Sequence, residues 1–593
     1  MTELYLNQED RTSGLLAEPE FVEDLDGPQG EDTPLALETG PMIGQVTTVD
    51  ASRVLVTLTD ESAVAQTAVS DLVALHAGRG FLIGIVEALW CSETSDRVIA
   101  HVMPVGTFYP RPRGGGSFRA GAASQPHIRA ACHLVEGERL SRFMENLGQG
   151  VAAEEQLVLG RYAGEDGARA VADGNAMFQR HLAILGNSGS GKSWAVALLM
   201  ERASRLPGAN LIALDLHGEY GPLADAGVAT RLRIGGPGDL LYGADDVLHL
   251  PFWLFETDEL LTLILNEDDP WAADQRLWLI DRVETLKRSA LASAGSYDAM
   301  ATVTADSPVP YKIEQLIDWA QQDDAEKIVL QPSGNVQPGP FNGKLGGMLS
   351  RLEARRADPR YGFIFQPPAT TEGKEWLTRT ATTLLQPGPA GSGVKIVDLS
   401  EVPTALVPMV AGLLARLIYN IQFWMDPAMR TPVCLVCDEA HIYLRDGEAE
   451  TAMYGSALRQ FETIAKEGRK YGVCLAVVSQ RPSELSRTVL SQCNNFVILR
   501  LNNDQDHAMI VHLVPGAFAG VAALLPTLDV GEAVVIGDAV PLPVRIKLDR
   551  ATNGPASGTL PYWSLWSTEP QHPEAIVDGV AALRSQSRYI GDD

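Results

Sequence analysis

Residues 181–193 have the sequence HLAILGNSGSGKS, in which an apolar run leads directly into a glycine-rich loop. The residues before Gly186 are mostly apolar, as in a buried strand, and residues 186–193 match the pattern GxxxxGK[ST] without a mismatch. A helix-forming run follows from Trp194. A strand, a glycine-rich loop and a helix in this order are typical of a phosphate-binding site, so an accidental glycine-rich turn is disfavoured.

The residue types in the loop fit the chemistry of phosphate binding. Glycines let backbone N–H groups wrap phosphate oxygens, which a Cβ would obstruct. Lys192 supplies a point charge to the β- and γ-phosphates, and Ser193 supplies a hydroxyl to Mg²⁺. The loop alone does not distinguish ATP from GTP. The predicted nucleotide-binding residues are Gly186, Asn187, Ser188, Gly189, Ser190, Gly191, Lys192 and Ser193.

The pattern of strand, loop and helix repeats along the chain, which predicts an α/β fold with a parallel sheet covered by helices. Helix-like, charged segments interrupt it over residues 253–360, and we interpret them as a helical insertion. Short β-like runs with Gly, Asp and Ser between them precede it and favour a small N-terminal β-barrel. Those runs are 43–49, 53–59, 82–88 and 97–102.

A second apolar run, Val433–Cys437, ends in the adjacent acids Asp438 and Glu439. Asp438 would hold Mg²⁺, and Glu439 would polarise the attacking water. The alternative is an ordinary strand end with surface acids. Cys434 and Cys437 form a CxxC pattern, but residues three apart on a strand face opposite sides, so we interpret both as core cysteines.

Polar residues follow two further strands. Gln480, after the run 473–478, would lie beside the γ-phosphate and report its presence. The segment 215–220 after the second strand is rich in polar groups, which suggests a place near the nucleotide or an interface. The basic segment 466–470 either complements a helix dipole or supplies an arginine to a neighbouring subunit.

The net charge of −28 argues against a protein whose outside is coated with nucleic acid, although a basic pore lining is compatible with it. Residues 1–40 contribute −10 of that charge, from eleven acids against Arg11, and are interpreted as a solvated acidic tail or a docking tail. The sequence has neither a signal peptide nor about 18 uninterrupted apolar residues, so we expect a cytoplasmic protein with no membrane association. Basic residues at 344, 351, 355, 356 and 360 are solvated helix faces or a pore lining.

Several segments in this order resemble the HerA family of hexameric DNA translocases, which are allied to FtsK. The resemblance covers roughly residues 40–550. The matching segments are RHLAILG (180–186) running into the phosphate loop, DLHGEY (215–220), DEAH (438–441), EGRKYG (467–472) and SQRPSEL (479–485).

The resemblance implies a RecA-like P-loop ATPase core in a homo-hexamer, with ATP and Mg²⁺ between subunits and double-stranded DNA in the pore. It assigns catalysis to Lys192, Glu439 and Gln480, with Arg469 acting in trans. Arg180 is a second arginine candidate, predicted to bind the nucleotide, and Arg500 is a weaker one. The implied division is an acidic tail (1–40), a HAS-type barrel (41–106), a linker and entry to the core (107–179), core (180–252), helical insertion (253–365), core (366–550) and a C-terminal tail (551–593).

The same resemblance implies a partner effector, since no nuclease-like constellation is present in this chain. A NurA-like nuclease would indicate DNA-end processing and repair, whereas a sirtuin-like NADase or another effector would indicate antiviral defence. A ring scaffold that activates an effector with little DNA movement is the alternative, and the net charge favours it. A conjugative coupling ATPase is less expected, because it would normally carry a membrane anchor.

Overall fold

We describe the protein from a computed structural model. The described residues are 35–50, 53–69, 71–91, 97–111, 115–121, 124–163, 168–239, 246–329, 334–373, 375–388, 391–446, 452–514, 523–558, 560–568 and 575–586. Most of the acidic segment 1–40 therefore lies outside the described residues.

Six N-terminal strands close into a barrel, because the second strand pairs with both the first and the fifth. Alternate apolar side chains such as Ile43, Val56 and Leu82 point inward and form their own hydrophobic cluster. A further strand, Gly116–Ala120, extends the sheet beyond the fifth strand, Val98–Pro110. The strands are β1 (Met42–Val49), β2 (Val54–Leu58), β3 (Leu72–Ala77), β4 (Gly80–Cys91), β5 (Val98–Pro110), β6 (Gly116–Ala120) and β7 (Ala131–Leu134).

The barrel extends further than the sequence suggested. The boundary expected at residue 106 falls inside β5, and the segment interpreted as a linker contains β6 and β7. β7 lies between β1 and β3, so the barrel cannot close without it. The aromatic residue Phe108 is fully buried and pairs with Phe118 across the β5–β6 turn, which explains why a glycine-rich stretch forms strands.

The remaining strands form one twelve-stranded sheet and a two-stranded hairpin, β14–β15. The sheet order is β13-β12-β16-β11-β17-β18-β10-β19-β20-β21-β8-β9. The strands are β8 (Gln156–Tyr162), β9 (Arg169–Asp173), β10 (Leu182–Leu185), β11 (Leu211–Asp215), β12 (Ala229–Ile234), β13 (Val247–Leu248), β14 (Lys327–Val329), β15 (Val336–Pro338), β16 (Gly391–Asp398), β17 (Val433–Cys437), β18 (Val473–Ser479), β19 (Asn495–Leu499), β20 (Glu532–Ile536) and β21 (Val544–Leu548).

The strands from β13 to β19 in that order are all parallel, whereas β19, β20, β21, β8 and β9 pair antiparallel. The central strands β10, β11, β17 and β18 are buried along their whole length. Continuous apolar strands of this kind need helices on both faces. The predicted α/β class, a P-loop core with an N-terminal barrel, is confirmed.

Helices cover the sheet and build the insertion. They are α1 (Glu61–Gln66), α2 (Gly137–Gln149), α3 (Gly174–Gln179), α4 (Lys192–Ala203), α5 (Gly221–Asp225), α6 (Thr257–Ile264), α7 (Ala272–Ser293), α8 (Tyr297–Met300), α9 (Ile313–Ala325), α10 (Gly346–Ala357), α11 (Gly362–Phe365), α12 (Trp376–Leu385), α13 (Val407–Trp424), α14 (Ala452–Glu467), α15 (Arg487–Gln492), α16 (Asp504–Leu513), α17 (Tyr562–Trp566) and α18 (Ala575–Ser585).

The helical insertion runs on past the expected boundary at residue 365, because α12 follows it and the sheet resumes only with β16. A buried ion cluster fastens the insertion to the core. Arg416 of α13 donates to both carboxylate oxygens of Glu259 in α6 and to the Leu254 carbonyl, and its side chain is 8% exposed. The same guanidinium lies 3.3 Å from Glu256.

One helical segment, Thr404–Trp424, is long and apolar enough to cross a membrane by length and composition. However, 78% of its apolar window is buried inside the protein, where α13 packs against α14 and α12. It is a core helix of the α/β domain.

Candidate functional site

The parallel strands of the core gather the predicted chemistry at one edge of the sheet. Because β11, β17, β18, β10 and β19 run in the same direction, the residues that follow each of them lie at their common carboxyl edge. The phosphate loop follows β10, the two acids follow β17, and Gln480 follows β18. We call this the nucleotide edge.

The phosphate loop has the backbone that its glycines permit. Gly189 and Gly191 have φ angles of +74° and +111°, which a residue with a Cβ rarely adopts. The N–H of Gly186 donates to the Ser479 carbonyl at 3.3 Å, and that of Asn187 donates to the Arg500 carbonyl at 2.9 Å. The loop is thus tied to the ends of both neighbouring strands before α4 begins.

The side chains of the loop fit a nucleotide with its magnesium ion. Lys192 is 8% exposed, and its Nζ donates to the Asn187 carbonyl at 3.2 Å, inside the curve of the loop. Burial lowers the pKa of Lys192, and the nearby Glu439, Asp438 and Glu219 oppose that shift. Phosphate oxygens would satisfy this buried cation. The half-buried Ser193 follows it in the first turn of α4.

Asp438 is held by a tyrosine from the turn that follows β11, the neighbour of β17 in the sheet. The Tyr220 hydroxyl donates to Asp438 Oδ2 at 2.8 Å, and the Glu439 N–H donates to Oδ1 at 2.9 Å. Burial raises the pKa of Asp438 to about 7; the tyrosine bond opposes this, and the charges of Glu439 and Asp215 add to it. A divalent cation would favour the ionised carboxylate, as expected of a magnesium ligand.

Asp215 shapes the turn that delivers Tyr220. Its Oδ1 accepts the backbone N–H groups of residues 217, 218 and 219, and its Oδ2 accepts that of Tyr220 at 2.9 Å. The polar segment 215–220, predicted to lie near the nucleotide or an interface, lies beside Asp438 at the nucleotide edge. Tyr220 itself is fully buried, so the segment belongs to both the core and the site.

Glu439 lies between Gln480 and His441. Gln480 Nε2 is 3.4 Å from Glu439 Oε1, and His441 Nδ1 is 3.3 Å from Glu439 Oε2. Gln480 Oε1 also accepts a short hydrogen bond from the Ser188 hydroxyl. Glu439 has a left-handed backbone with φ of +43°, a strained conformation that is common at functional sites. The glutamine therefore connects the phosphate loop to the proposed catalytic acid.

The arginine candidates separate into two groups. Arg500 follows β19 and its carbonyl oxygen accepts the Asn187 N–H of the phosphate loop, so Arg500 lies at the nucleotide edge. Its Nε is buried without a hydrogen-bond partner among the described residues. Arg180 precedes β10 and Arg469 precedes β18, at the opposite, amino edge of the sheet. Arg180 pairs with Asp538 at 2.7 Å.

Arg469 is exposed, and no described residue forms an ion pair with it. The strand that separates it from Gln480 has seven residues, which places it about 20 Å from the nucleotide edge. It cannot reach the phosphate loop of its own subunit.

His181 links the chain segments that contain the two amino-edge arginines, Arg180 and Arg469. It is buried, with a left-handed φ of +56°. Its Nδ1 accepts the Leu475 N–H at 2.9 Å, so its Nε2 donates to the Ala465 carbonyl at 3.0 Å. Arg180 precedes it in the chain, while Ala465 lies on α14, four residues before Arg469. His181, Tyr220 and His441 lie in segments that carry the family resemblance, but no local pattern in the sequence indicated which groups each of them contacts.

The other candidate features have local partners. Lys344 pairs with Asp274, Arg356 with Glu314 and Arg360 with Asp358, which agrees better with solvated helix faces than with a free basic lining. Cys434 and Cys437 are buried in β17, and the described residues include no cluster of three or more His, Cys, Asp or Glu side chains that could hold a metal ion.

Comparison with known proteins places these observations in a family context. Residues 157–418 match the family described as "Helicase HerA, central domain". The chain is 25% identical over 448 residues to a DNA double-strand break repair helicase HerA of Pyrococcus furiosus, covering 70% of this chain and 73% of the relative. It is 27% identical over 376 residues to the protein of that name from Saccharolobus solfataricus, covering 63% and 64%.

Among solved structures, VirB4 of Thermoanaerobacter pseudethanolicus matches with 18% identity and a TM-score of 0.42. The match covers 68% of this chain and 98% of that one.

Proposed function

We propose that this chain, which belongs to the HerA family and is an ATP-hydrolysing enzyme, is a double-stranded DNA translocase or helicase that works as a homo-hexamer with a partner effector. The observation that carries the proposal is the separation of the predicted site between two edges of one sheet. Lys192, Glu439 and Gln480 lie at the nucleotide edge, and Arg180 and Arg469 lie at the amino edge.

Within one subunit, the nucleotide edge would bind ATP and orient water. The N–H groups of the phosphate loop and the Lys192 ammonium would hold the phosphates, and Ser193 and Asp438 would hold Mg²⁺, which supplies positive charge to the phosphate oxygens. Glu439 would accept the proton of the attacking water. Gln480 contacts both Ser188 and Glu439, so it is well placed to make the position of Glu439 depend on the occupancy of the loop.

The amino-edge arginines would act on the nucleotide of the next subunit. An arginine that stabilises the charge of the transferred phosphoryl group must touch it, and Arg469 lies too far from its own phosphate loop. A head-to-tail ring brings the amino edge of one subunit to the nucleotide edge of the next. The number six rests on the family alone.

The C-terminal segment supports assembly with another chain. Trp563 and Trp566 of α17 are 83% and 72% exposed, and α18 exposes Ile576 and Val577. A series of large apolar side chains on the surface is typical of a segment that packs on a partner.

A mixing experiment tests the arrangement. Arg469→Ala and Glu439→Gln should each abolish ATP hydrolysis, and an equal mixture should recover about a quarter of the wild-type rate, since one interface in four then combines two intact halves. A mixture of Lys192→Ala with Glu439→Gln is the control. Both changes damage the same half, so that mixture should stay inactive. Failure of the first mixture to recover would exclude action in trans.

Its relatives described as DNA double-strand break repair helicases favour a role in the processing of DNA ends, and the effector would then be a NurA-like nuclease. A sirtuin-like NADase or another effector would instead indicate antiviral defence. Copurification with the product of a neighbouring gene distinguishes these possibilities.

A second candidate function is an ATP-regulated ring scaffold that activates an effector with little DNA movement. The net charge of −28 favours it, since phosphate contacts need positive charge. ATP turnover with and without added duplex DNA distinguishes the two. A translocase should be stimulated several-fold, whereas a scaffold should be indifferent.

A further inference from the structure

An apolar patch lies on the surface at the end of α13. It consists of Phe423, Trp424 and Met429, whose side chains are 39%, 82% and 72% exposed. We call it the Trp424 patch. The ring centroids of Phe423 and Trp424 lie 5.2 Å apart, edge to face, so the two rings form one surface.

The patch is attached to the turn that carries Arg469. This turn, Gly468–Tyr471, ends in a tyrosine whose ring lies 5.0 Å from that of Phe423. Arg430 stacks on the same tyrosine ring at 5.2 Å and donates to the Phe423 carbonyl. The patch is therefore joined, through Phe423 and Tyr471, to the turn that contains Arg469.

The composition of this face is that of a protein interface. Aromatic residues, Met and Arg are enriched at interface centres, and contiguous apolar patches on a folded surface mark sites of interaction. The face is also basic beyond the patch, since Arg469 and Lys470 are exposed beside it. At the nucleotide edge, Glu219, Asp438 and Glu439 lie around Lys192, and a bound nucleotide would bring the negative charge of its phosphates to the same place.

We propose that the Trp424 patch docks on the nucleotide edge of a second copy of this chain and thereby seats Arg469 at that copy's nucleotide. The inference rests on the proposed function, because it takes Arg469 as the residue that acts in trans. A surface continuous with Arg469 must then face the same neighbour. The neighbour also offers apolar surface, since Val530 is 50% exposed beside Gly531, whose N–H bonds the loop carbonyl of Ser190.

Other occupants fit less well. Duplex DNA would present phosphates to an apolar patch, whereas an effector seated there would keep Arg469 away from a neighbouring nucleotide. Both alternatives predict that loss of the patch leaves the assembly of the ring unchanged.

The first experiment measures assembly through activity. Trp424→Ala should weaken association by roughly thirtyfold, as truncation of a central interface aromatic does. ATP hydrolysis per subunit should then fall at low protein concentration and recover at high concentration, while ATP binding is unchanged. Trp90→Ala is the matched control, because Trp90 is 58% exposed on the barrel strand β4. Arg469→Ala should stay inactive at every concentration.

The second experiment identifies the occupant. A photo-crosslinking amino acid at position 424 of the full chain should give a covalent dimer, with the crosslink mapping to the nucleotide edge near Val530 or the phosphate loop. A crosslink to the barrel, to DNA or to nothing would overturn the proposal, as would full activity of dilute Trp424→Ala protein.

These experiments distinguish an error in the docking surface from an error in the proposed action in trans. If the mixture of Arg469→Ala and Glu439→Gln recovers but Trp424→Ala assembles normally, the docking surface is wrong and action in trans remains. If wild-type activity per subunit is independent of concentration and the mixture does not recover, the ring itself is wrong.

Discussion

Tyr220 offers a direct test of how the site positions Asp438, the proposed magnesium ligand. Its hydroxyl donates to Asp438 Oδ2 at 2.8 Å, its ring is fully buried, and Asp438 is 7% exposed. Tyr220→Phe removes the donor and keeps the ring, so the packing of the core should be preserved. A hydrogen bond to a charged group contributes about 1.5–3 kcal/mol, which corresponds to roughly a 10- to 150-fold lower kcat/KM for Mg-ATP.

The structure supplies a matched control in Tyr443. This tyrosine is also fully buried, and its hydroxyl donates at 2.9 Å to the backbone carbonyl of Asp438 rather than to the carboxylate. Tyr443→Phe should cost about 1 kcal/mol of stability, as for a neutral hydrogen bond, and should leave kcat/KM within about threefold of the wild type. Tyr220→Phe removes the donor to the carboxylate of Asp438, whereas Tyr443→Phe removes the donor to its backbone carbonyl.

The assay is steady-state ATP hydrolysis over a range of Mg²⁺ concentrations, with thermal unfolding measured on the same samples. We expect Tyr220→Phe to need more Mg²⁺ for half-maximal rate. Comparable activity of the two variants, at comparable stability, would refute the claim that Tyr220 positions Asp438 for metal binding.

Three further predictions concern stability and the loop. Arg416→Met leaves the buried Glu259 unpaired and should lower the free energy of unfolding by about 3–5 kcal/mol in urea titrations. Arg356→Met is the control, because it removes an exposed ion pair with Glu314 and should cost less than about 1 kcal/mol. Burial lowers the pKa of Lys287 from 10.5 to about 8, so the unfolded chain binds more protons than the folded chain between pH 8 and pH 10.5. The free energy of unfolding should therefore rise with pH over that range. Lys287→Met should lack this rise in unfolding titrations. Gly191→Ala forces a Cβ onto a φ of +111° and should weaken nucleotide binding about tenfold or more in a fluorescent-nucleotide titration; unchanged affinity would contradict the strain argument.

Local patterns in the sequence were sufficient for the phosphate loop and for the central strands. The spacing of Gly186, Gly191 and Lys192 is itself the binding geometry, because the groups that hold phosphate are consecutive backbone N–H groups. The runs before them are continuously apolar, since strands of a parallel sheet are buried on both faces. The placement of Asp438 follows from the end of β17 in the same way.

The partners of these residues could not be found by the same route. Tyr220 and Asp438 are separated by 218 positions, and only the neighbouring places of β11 and β17 in the sheet bring them together. His181 looks like one more residue at a strand start until its contacts with Leu475 and Ala465 are known. The barrel boundary was missed for a related reason, since β7 joins β1 and β3 across a long stretch of chain.

The two edges of the sheet suggest how neighbouring sites in a ring could influence each other. β10 and β18 are adjacent and parallel. Arg180 precedes β10 and the phosphate loop follows it, while Arg469 precedes β18 and Gln480 follows it. A shift of the phosphate loop or Gln480 would move a buried strand that interior packing does not allow to bend freely. We infer that such a shift would reach the amino edge, where His181 ties β10 to the helix before Arg469. Breaking that tie with His181→Ala should therefore impair the subunit as a donor to its neighbour more than as a nucleotide binder, and mixing with Glu439→Gln should restore activity. A loss of ATP affinity in His181→Ala equal to its loss of turnover would instead make the histidine a general element of stability.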